Sequence, residues 1–420
     1  MTALSTRLKG ISDTIFKEPT YRRVPAVGFG IVVNGQIHTH VDGLRKYGTR
    51  FKIQKDDMFA LGSIGKPLTG FLFATFAQAI PSLRRKGFST TVNDIFPELI
   101  KAFQTNTKKG TGPDYSKTYA DVTVAQLMAH VSGVDYMPNY NGYSREFDSL
   151  LKKVKSDNTP IDFRPADLIA KRRYYTELAF SDIPFGGWDL RKMASLILPL
   201  ENIDNSLNGN CTLFKYSGGC IIVASMMEKL SGKSWEELMN TYVFGNLAIT
   251  KYRYLGTAPN EILGLPQGNQ QHRIVGNTVQ SFGNTTYTVH QGNYSDNSKI
   301  GHTHRPAGVP SMSMDDFGKW IRAVINMYNI KDSSTTNQQK IKNDYFGLVQ
   351  TSGFTKGGWI SNNGIRLSHN GSNGWNYSNA VIQLDKNYGY FVFTNIDTPA
   401  ARALNDEISS ELVKLCREIV

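Results

Sequence analysis

The hydrophobic pattern changes twice along the chain, from strand-like near the N-terminal end to helical in the middle and back to strand-like. Residues 3–17 place apolar side chains on one helical face, and the continuous apolar run 26–33 predicts a buried strand. Asn34 and Gly35 predict a two-residue hairpin turn, after which residues 36–41 return as a second strand. A hairpin therefore precedes the segment around residue 63 and places that segment beside a sheet.

The middle of the chain favours helices joined by long loops. Thr123 and Gln126 have the spacing of a capping box, and we expect the helix that they begin to end at 132–133. Apolar residues over 221–230 predict a second helix, and Ser313 is expected to begin a third. We expect His130 and Cys220, which lie in these apolar surroundings, to be packed structural residues.

Strand character returns near the C-terminal end, in four runs at 357–361, 365–369, 378–384 and 389–395. Thr398 and Pro399 then predict the start of a closing helix. The predicted fold is α/β (α+β): an antiparallel sheet built from both termini, flanked by helices, with a mostly helical insertion. We place the sheet region at 1–75 and 350–420 and the helical and loop-rich region at 76–349, together forming one catalytic unit.

Composition narrows the class of protein. The chain has 420 residues, 40% of them hydrophobic, which suffices for a large core, and no apolar run approaches the ~18 residues of a membrane span. Residues 1–9 contain no apolar signal core. Cys211, Cys220 and Cys416 form neither a disulfide framework nor a Cys-x-x-Cys pair.

The formal net charge is +12, which would suit an anionic partner such as a polymer of the cell wall. No nucleic-acid motif accompanies this charge, so we expect no specific nucleic-acid binding. Much of it falls in four clusters: Arg84-Arg85-Lys86, Lys108-Lys109, Lys152-Lys153-Lys155 and Lys171-Arg172-Arg173. The simplest interpretation of these clusters is a solvated basic surface.

Candidate chemistry centres on Ser63 and Lys66, which lie three residues apart and therefore on one face of a helical turn. A serine hydroxyl becomes a strong nucleophile when a neighbouring base removes its proton, and lysine can do so where burial and positive charge lower its pKa. A second Ser-x-x-Lys match, Ser149 to Lys152, lies in a lysine-rich stretch and reads as a solvated helix face. Gly62 and Gly65 distinguish the first match, since small residues let a substrate approach the backbone.

Histidines between residues 258 and 310 allow a metal site to be considered: His272, His290, His302 and His304. His302 and His304 are spaced to chelate from a strand, but no Asp or Glu adjoins them and the other two are distant. We therefore expect no metal, and nothing in the sequence calls for a cofactor.

Motifs along almost the whole chain resemble the serine β-lactamase and penicillin-binding-protein superfamily. Three match in the required order: Ser63-Ile64-Gly65-Lys66, Tyr216-Ser217-Gly218 and His369-Asn370-Gly371. Stretches at 127–133, 305–308, 311–320 and 389–395 agree as well. The chain looks closest to the branch that holds class C β-lactamases, DD-carboxypeptidases, D-aminopeptidases and family VIII carboxylesterases.

The resemblance implies a covalent acyl-enzyme mechanism with Ser63 as nucleophile. Lys66 and Tyr216 would share the transfer of its proton to the leaving group, and which of them is the principal base stays open. The oxyanion hole would consist of the backbone N–H groups of Ser63 and Ser372. The implied substrate-binding residues are His369, Asn370, Gly371, Gly218 and Trp375, the last either walling the cleft or packing beneath it.

Two departures from the superfamily pattern concern the substrate. Gly218 stands where the second motif commonly has Asn, and His369-Asn370 replace the Lys-Thr that is usual in true β-lactamases. Histidine, with a pKa near 6.5, is a weaker partner for a substrate carboxylate than lysine. Both changes point away from efficient β-lactam hydrolysis.

The sequence therefore predicts a serine hydrolase that acts through a Ser63 acyl-enzyme on an ester or a D-amino-acyl amide, a small molecule or a peptidoglycan-like fragment. A penicillin-binding DD-peptidase or a β-lactamase is the alternative enzyme. A sensor that is acylated at Ser63 without turnover is the alternative of a different class. The resemblance favours a periplasmic or secreted location, whereas the N-terminal segment shows no signal peptide.

Overall fold

The computed structural model describes residues 3–45, 47, 50–98, 121–132, 169, 172, 218–254, 277–282, 286–291, 305–308, 310–331, 336–372 and 376–420. Contacts between Cα atoms divide the chain into two compact units. The first comprises Met1–Leu68, Asn240–Lys331 and Asn363–Val420, and the second comprises Thr69–Met239 and Asp332–Asn362. The predicted division at residues 75 and 350, and the union of both regions in one catalytic unit, stay predictions.

Helices and strands alternate through the described ranges. The helices are α1 (Ala3–Ile11), α2 (Gly65–Ala79), α3 (Pro81–Lys86), α4 (Val92–Ile95), α5 (Val124–Met128), α6 (Gly219–Ser231), α7 (Trp235–Met239), α8 (Arg305–Gly308), α9 (Met314–Tyr328), α10 (Thr336–Phe346) and α11 (Pro399–Ile419). The strands are β1 (Ala26–Val33), β2 (Gln36–Gly43), β3 (Phe59–Ala60), β4 (Tyr252–Arg253), β5 (Asn277–Phe282), β6 (Thr286–Gln291), β7 (Ser311–Met312), β8 (Leu348–Val349), β9 (Phe354–Thr355), β10 (Arg366–Ser372), β11 (Tyr377–Gln383) and β12 (Tyr388–Thr394).

A five-stranded antiparallel sheet in the order β10-β11-β12-β1-β2 forms the frame of the first unit. Its strands come from both ends of the chain, which confirms the predicted architecture. The hairpin between β1 and β2 turns at Asn34 (φ 48°) and Gly35 (φ 73°), the two left-handed residues that this tight turn requires. Since β1 pairs with β12, the N-terminal and C-terminal segments are joined along a full strand.

Helices of the first unit pack on both faces of this sheet. On one face, α1 and α11 share a buried apolar cluster with alternate residues of β1 and β12. The predicted inner face of the closing helix is buried there: Leu404, Ile408, Leu412 and Leu415. On the other face, the ring of Phe317 in α9 lies 5.0 Å from that of Phe391 and 4.9 Å from that of Phe393. The first nine helical residues continue as a π-helical turn, Ser12–Phe16, rather than as the single α-helix predicted over 3–17.

Two boundaries in the second unit differ from the sequence-based predictions. Thr123 and Gln126 form the predicted capping box, but α5 ends at Met128 because His130 takes a left-handed conformation (φ 61°). The buried His130 ring packs edge-on against Phe354 at 4.8 Å, consistent with its predicted structural role. Residues 357–361 contain a tight turn at Gly358 (φ 90°) and an isolated bridge in place of the predicted strand.

Arg172 lies inside the second unit, so its assignment to a basic surface cluster is wrong. Its guanidinium is fully buried and donates hydrogen bonds to Glu228 Oε1 at 2.5 and 2.8 Å. A third bond, of 2.7 Å, joins it to Glu236 Oε2. Two carboxylates explain the burial, because an unpaired cation in the interior would be costly.

Across the residues that the structure describes, no helix is both long and apolar enough to span a membrane. Cys220 and Cys416 are buried in the interior, as expected for small apolar residues.

Candidate active site

Ser63 lies in a 3₁₀ turn of the first unit, Gly62–Ile64, that leads directly into α2. The serine is partly exposed, whereas Lys66, one turn further on, is buried. Pro67 is the third residue of α2, where the missing N–H needs no partner within the helix. The turn therefore presents one hydroxyl to solvent and keeps the neighbouring amine inside.

The amine of Lys66 is held directly at the nucleophile. Lys66 Nζ lies 2.9 Å from Ser63 Oγ and 3.0 Å from the backbone oxygen of Ala307, to which it donates. The second contact comes from α8, 241 residues away in sequence, so the fold rather than local helix geometry fixes the position of the amine. Within this contact a neutral amine can accept the serine proton.

The backbone around Ser63 touches the backbone of β10. Gly62 has a φ of 53°, and a Cβ on it would lie 2.7 Å from the Ser372 nitrogen. A Cβ on Gly371 would lie 2.8 Å from the Ser63 nitrogen and 2.1 Å from the Leu61 oxygen. Any side chain at either glycine would therefore force apart the two segments that carry the predicted oxyanion-hole amides.

His369 in β10 is a buried, neutral imidazole. Its Nδ1 lies 2.7 Å from the Asn370 carbonyl oxygen, so Nδ1–H donates that bond. Burial, together with the positive charge of Lys66, lowers the pKa of His369 to about 3. At neutral pH this side chain carries no positive charge toward a substrate.

Asn370 and Ser372 point to the other face of β10, since successive residues of a strand alternate. On that face, Ser372 Oγ donates to Asp397, whose carboxylate accepts bonds of 2.8 and 3.0 Å from Arg402. The Arg402 guanidinium lies 5.0 Å from the ring centre of Tyr377, which also hydrogen-bonds with the side chain of Asn370. This polar cluster lies at the C-terminal end of β10, on the face of the strand opposite His369.

The predicted site residues thus fall into three groups. Ser63, Lys66, His369 and the Gly371–Ser372 backbone come together in the first unit, and Asn370 contributes its backbone there. Gly218 is the buried N-cap residue of α6 in the second unit. Tyr216 and Trp375 lie outside the described residues, as do His272, His302 and His304. The described parts of the chain contain no cluster of three or more candidate metal ligands.

Two polar residues of the site were missed by the sequence analysis. Ser378 Oγ, in β11, donates to the Leu61 oxygen at 2.7 Å, and Asp397 holds the Ser372 hydroxyl. Ser378 begins a predicted strand and Asp397 lies between a predicted strand and a predicted helix, and neither belongs to a recognisable motif. Their contacts depend on strand register and on a helix start, which the sequence does not specify to one residue.

Comparison with known proteins bears on the family and the fold. A family model described as Beta-lactamase matches residues 11–160. A β-lactamase from Sulfitobacter sp. EE-36 superposes with a TM-score of 0.58 at 12% identity, over 99% of this chain and 100% of that one. A class C β-lactamase gives 0.57 at 13% identity over 98% of both chains. SurE, solved with D-Leu, gives 0.56 at 16% identity over 98% of this chain and 75% of that one.

No curated protein matches the sequence significantly. The chain has a β-lactamase-like fold, with an antiparallel sheet flanked by helices. The family match over residues 11–160 and this fold agree with the resemblance of the sequence motifs to the serine β-lactamase and penicillin-binding-protein superfamily.

Proposed function

We propose that the protein is a serine hydrolase that forms an acyl-enzyme on Ser63 from an ester or a D-amino-acyl amide. The contact of 2.9 Å between Lys66 Nζ and Ser63 Oγ carries this proposal. It pairs a partly exposed hydroxyl with a buried amine at hydrogen-bond distance, which is the geometry of an activated nucleophile.

In the proposed reaction, Ser63 Oγ attacks the substrate carbonyl carbon while its proton passes to the Lys66 amine. The oxygen of the tetrahedral intermediate accepts hydrogen bonds from the Ser63 and Ser372 amides. Collapse breaks the bond to the leaving group, which takes the proton, directly from Lys66 or through Tyr216. Water then attacks the ester on Ser63, and its proton follows the same route to the serine oxygen as the acid leaves.

The substrate class rests on two residues that depart from the pattern of true β-lactamases. His369 is neutral, so it offers no cation to a substrate carboxylate. Gly218 has no side-chain amide to hold a substrate's amide group. That SurE has been solved with D-Leu adds modest support for a D-amino-acyl substrate, since it shares this fold.

The test compares the protein with its Ser63→Ala variant on three substrates: a short-chain p-nitrophenyl ester, a D-alanyl p-nitroanilide and a chromogenic cephalosporin. We expect turnover of the ester or the anilide and a loss of at least ~10³-fold in the variant. Ser149→Ala, which removes the serine of the second Ser-x-x-Lys match, is the matched control and should keep full activity.

The same screen separates the alternatives. Preferred turnover of the cephalosporin would make the protein a β-lactamase, and a single burst of acylation without steady turnover would make it a sensor. Equal activity in the protein and Ser63→Ala would overturn the proposal.

An anionic polymer as the natural substrate is a separate expectation that rests on the net charge of +12. If it is right, activity on such a polymer falls steeply between ~0.05 and ~0.5 M salt, because the Debye length shortens. Activity on a neutral ester should not change over that range. The burial of Arg172 removes one member from the clusters that motivated this expectation.

A further inference from the structure

Ser378 stands at the point where the sheet meets the nucleophile turn. It lies in β11 directly opposite Gly371 in the register of the sheet, and its side chain is fully buried. Its hydroxyl donates to the Leu61 oxygen at 2.7 Å and lies 3.3 Å from the Gly371 oxygen. One buried hydroxyl thus contacts the segment leading to Ser63 and the strand leading to Ser372.

Each contact acts on a peptide unit next to a reacting group. The Gly371 oxygen and the Ser372 nitrogen belong to the same planar peptide, so a contact to that oxygen also fixes the direction of the Ser372 N–H. The Leu61 oxygen belongs to the peptide that enters the Gly62–Ile64 turn, two residues before Ser63. The turn and the strand are more than 300 residues apart in sequence.

The two segments also touch without an intervening side chain at Gly62 and Gly371. Close backbone contact alone sets a lower limit on the distance between the two segments. Repulsion keeps them from moving closer together, but it does not keep one segment from sliding along the other. A directional hydrogen bond between them removes that freedom. Ser378 supplies such a bond from a strand whose own position is fixed by full pairing on both sides.

We propose that Ser378 is a positioning residue that sets the Ser63 and Ser372 amides at the spacing needed to bind the developing oxyanion. The proposal rests on the proposed function, since it concerns the same acylation step. The amides bind the oxyanion more strongly in the transition state than in the ground state. Loss of their alignment should therefore lower kcat and leave KM almost unchanged.

The test is steady-state kinetics of Ser378→Ala, with kcat expressed per acylatable Ser63 as counted by intact mass. We expect kcat to fall about tenfold, less than the 10²–10³ that removal of an oxyanion donor costs, and KM to change less than about twofold. The matched control is Thr90→Val. It removes a buried hydroxyl that donates to the Gly87 oxygen at 2.8 Å, in the unit that does not contain Ser63.

Thr90→Val should lower the melting temperature and leave kcat per acylatable site intact. If Ser378→Ala loses only thermal stability, or only the fraction of acylatable sites, its hydroxyl is structural and the inference is wrong. That outcome leaves the proposed function standing, provided that Ser63→Ala is inactive. An active Ser63→Ala would instead overturn the proposed function itself.

Discussion

At Ser63 the sequence pattern and the three-dimensional contact agree in detail. A spacing of three residues placed Lys66 on the same face as Ser63, and the two side-chain atoms lie 2.9 Å apart. The second anchor of the amine, the Ala307 oxygen, could not be predicted, because it depends on how α8 packs. Local spacing therefore predicts which residues meet, and tertiary packing determines how firmly they are held.

Replacement of Lys66 tests this pairing directly. Lys66→Ala should lower kcat about 10³-fold or more, because the amine that accepts the serine proton is lost. Lys66→Arg should not restore activity, since guanidinium stays protonated. The measurement is kcat on the substrate that the protein turns over best.

The matched control for this pair of variants is Lys319→Ala. Lys319 Nζ also donates to a backbone oxygen, that of Ala248 at 2.5 Å, but it lies on α9. It should keep full activity. Activity in Lys66→Ala close to that of the unmodified protein would rule out the amine as base.

His369 predicts a pH dependence of stability. Its pKa in the folded state, about 3, lies below the unfolded value near 6.5, so the unfolded chain binds a proton that the folded chain does not. This contribution is fully present above pH ~6.5 and is lost progressively as the pH falls toward 3. Urea unfolding between pH 7 and 4 should therefore show a falling free energy of unfolding.

The decline should be shallower in His369→Gln, which has no titrating ring. His38→Gln is a useful control, since burial lowers the pKa of this histidine as well but it is only partly buried. An equally steep decline in the protein and in His369→Gln would contradict the buried neutral state. The protonation state of this histidine could not be predicted from the sequence, because the burial of its ring depends on the residues that pack around it in the fold.

At the scale of elements, helix starts were predicted better than helix ends. Thr123, Ser313 and Thr398 each accept a hydrogen bond from the backbone N–H three residues on, as expected of residues that begin a helix. The end of α5 was misplaced because a buried histidine, rather than a glycine, takes the left-handed position. Residues 357–361 were mistaken for a strand because apolar residues in a glycine turn can mimic a short strand.

The ion cluster that joins Arg172 to α6 and α7 predicts a large loss of stability when the arginine is replaced. Arg172→Met removes the cation that two buried carboxylates share, which should cost roughly 3–5 kcal/mol of unfolding free energy. Burial already raises the pKa of Glu228 to about 6 with the arginine present. Chemical denaturation at pH 7 measures the loss.

An exposed ion pair provides the control for the Arg172→Met variant. Lys414→Ala breaks the ion pair with Glu411 on the surface of α11 and should cost less than ~1 kcal/mol. If Arg172→Met proves no more destabilising than this variant, the cluster does not contribute to stability as its burial implies.

Over the whole molecule, one sheet joins the two ends of the chain, and α11 covers it with a buried face. The joining of the two ends could be predicted, since apolar strands at both termini have few other ways to bury their side chains. The segment 135–215 gave no clear pattern, and almost all of it lies outside the described residues. The assignment of 240–331 to the unit with both termini depends on long-range pairing such as β3 with β7, which no local pattern encodes.

The reactivity of Cys416 on α11 tests whether this helix is packed against the sheet. Burial raises the pKa of its thiol to about 12, so both access and thiolate formation are suppressed while the helix is docked. We expect a thiol reagent to label Cys416 in the native protein only at the rate of unfolding, and rapidly in denaturant. Peptide mass mapping distinguishes it from Cys211 and Cys220. Rapid labelling of Cys416 without denaturant would show that α11 is not held as described.

The proposed function requires Ser63 to be the acylated nucleophile, and the site of the covalent adduct tests this requirement directly. The protein is mixed with the p-nitrophenyl ester, quenched in acid within the first turnovers, digested and mapped by mass spectrometry. We expect an acyl group on the peptide that contains Ser63, absent from Ser63→Ala and unchanged in Ser149→Ala. An acyl group on another residue, or turnover that continues unchanged in Ser63→Ala, would contradict it.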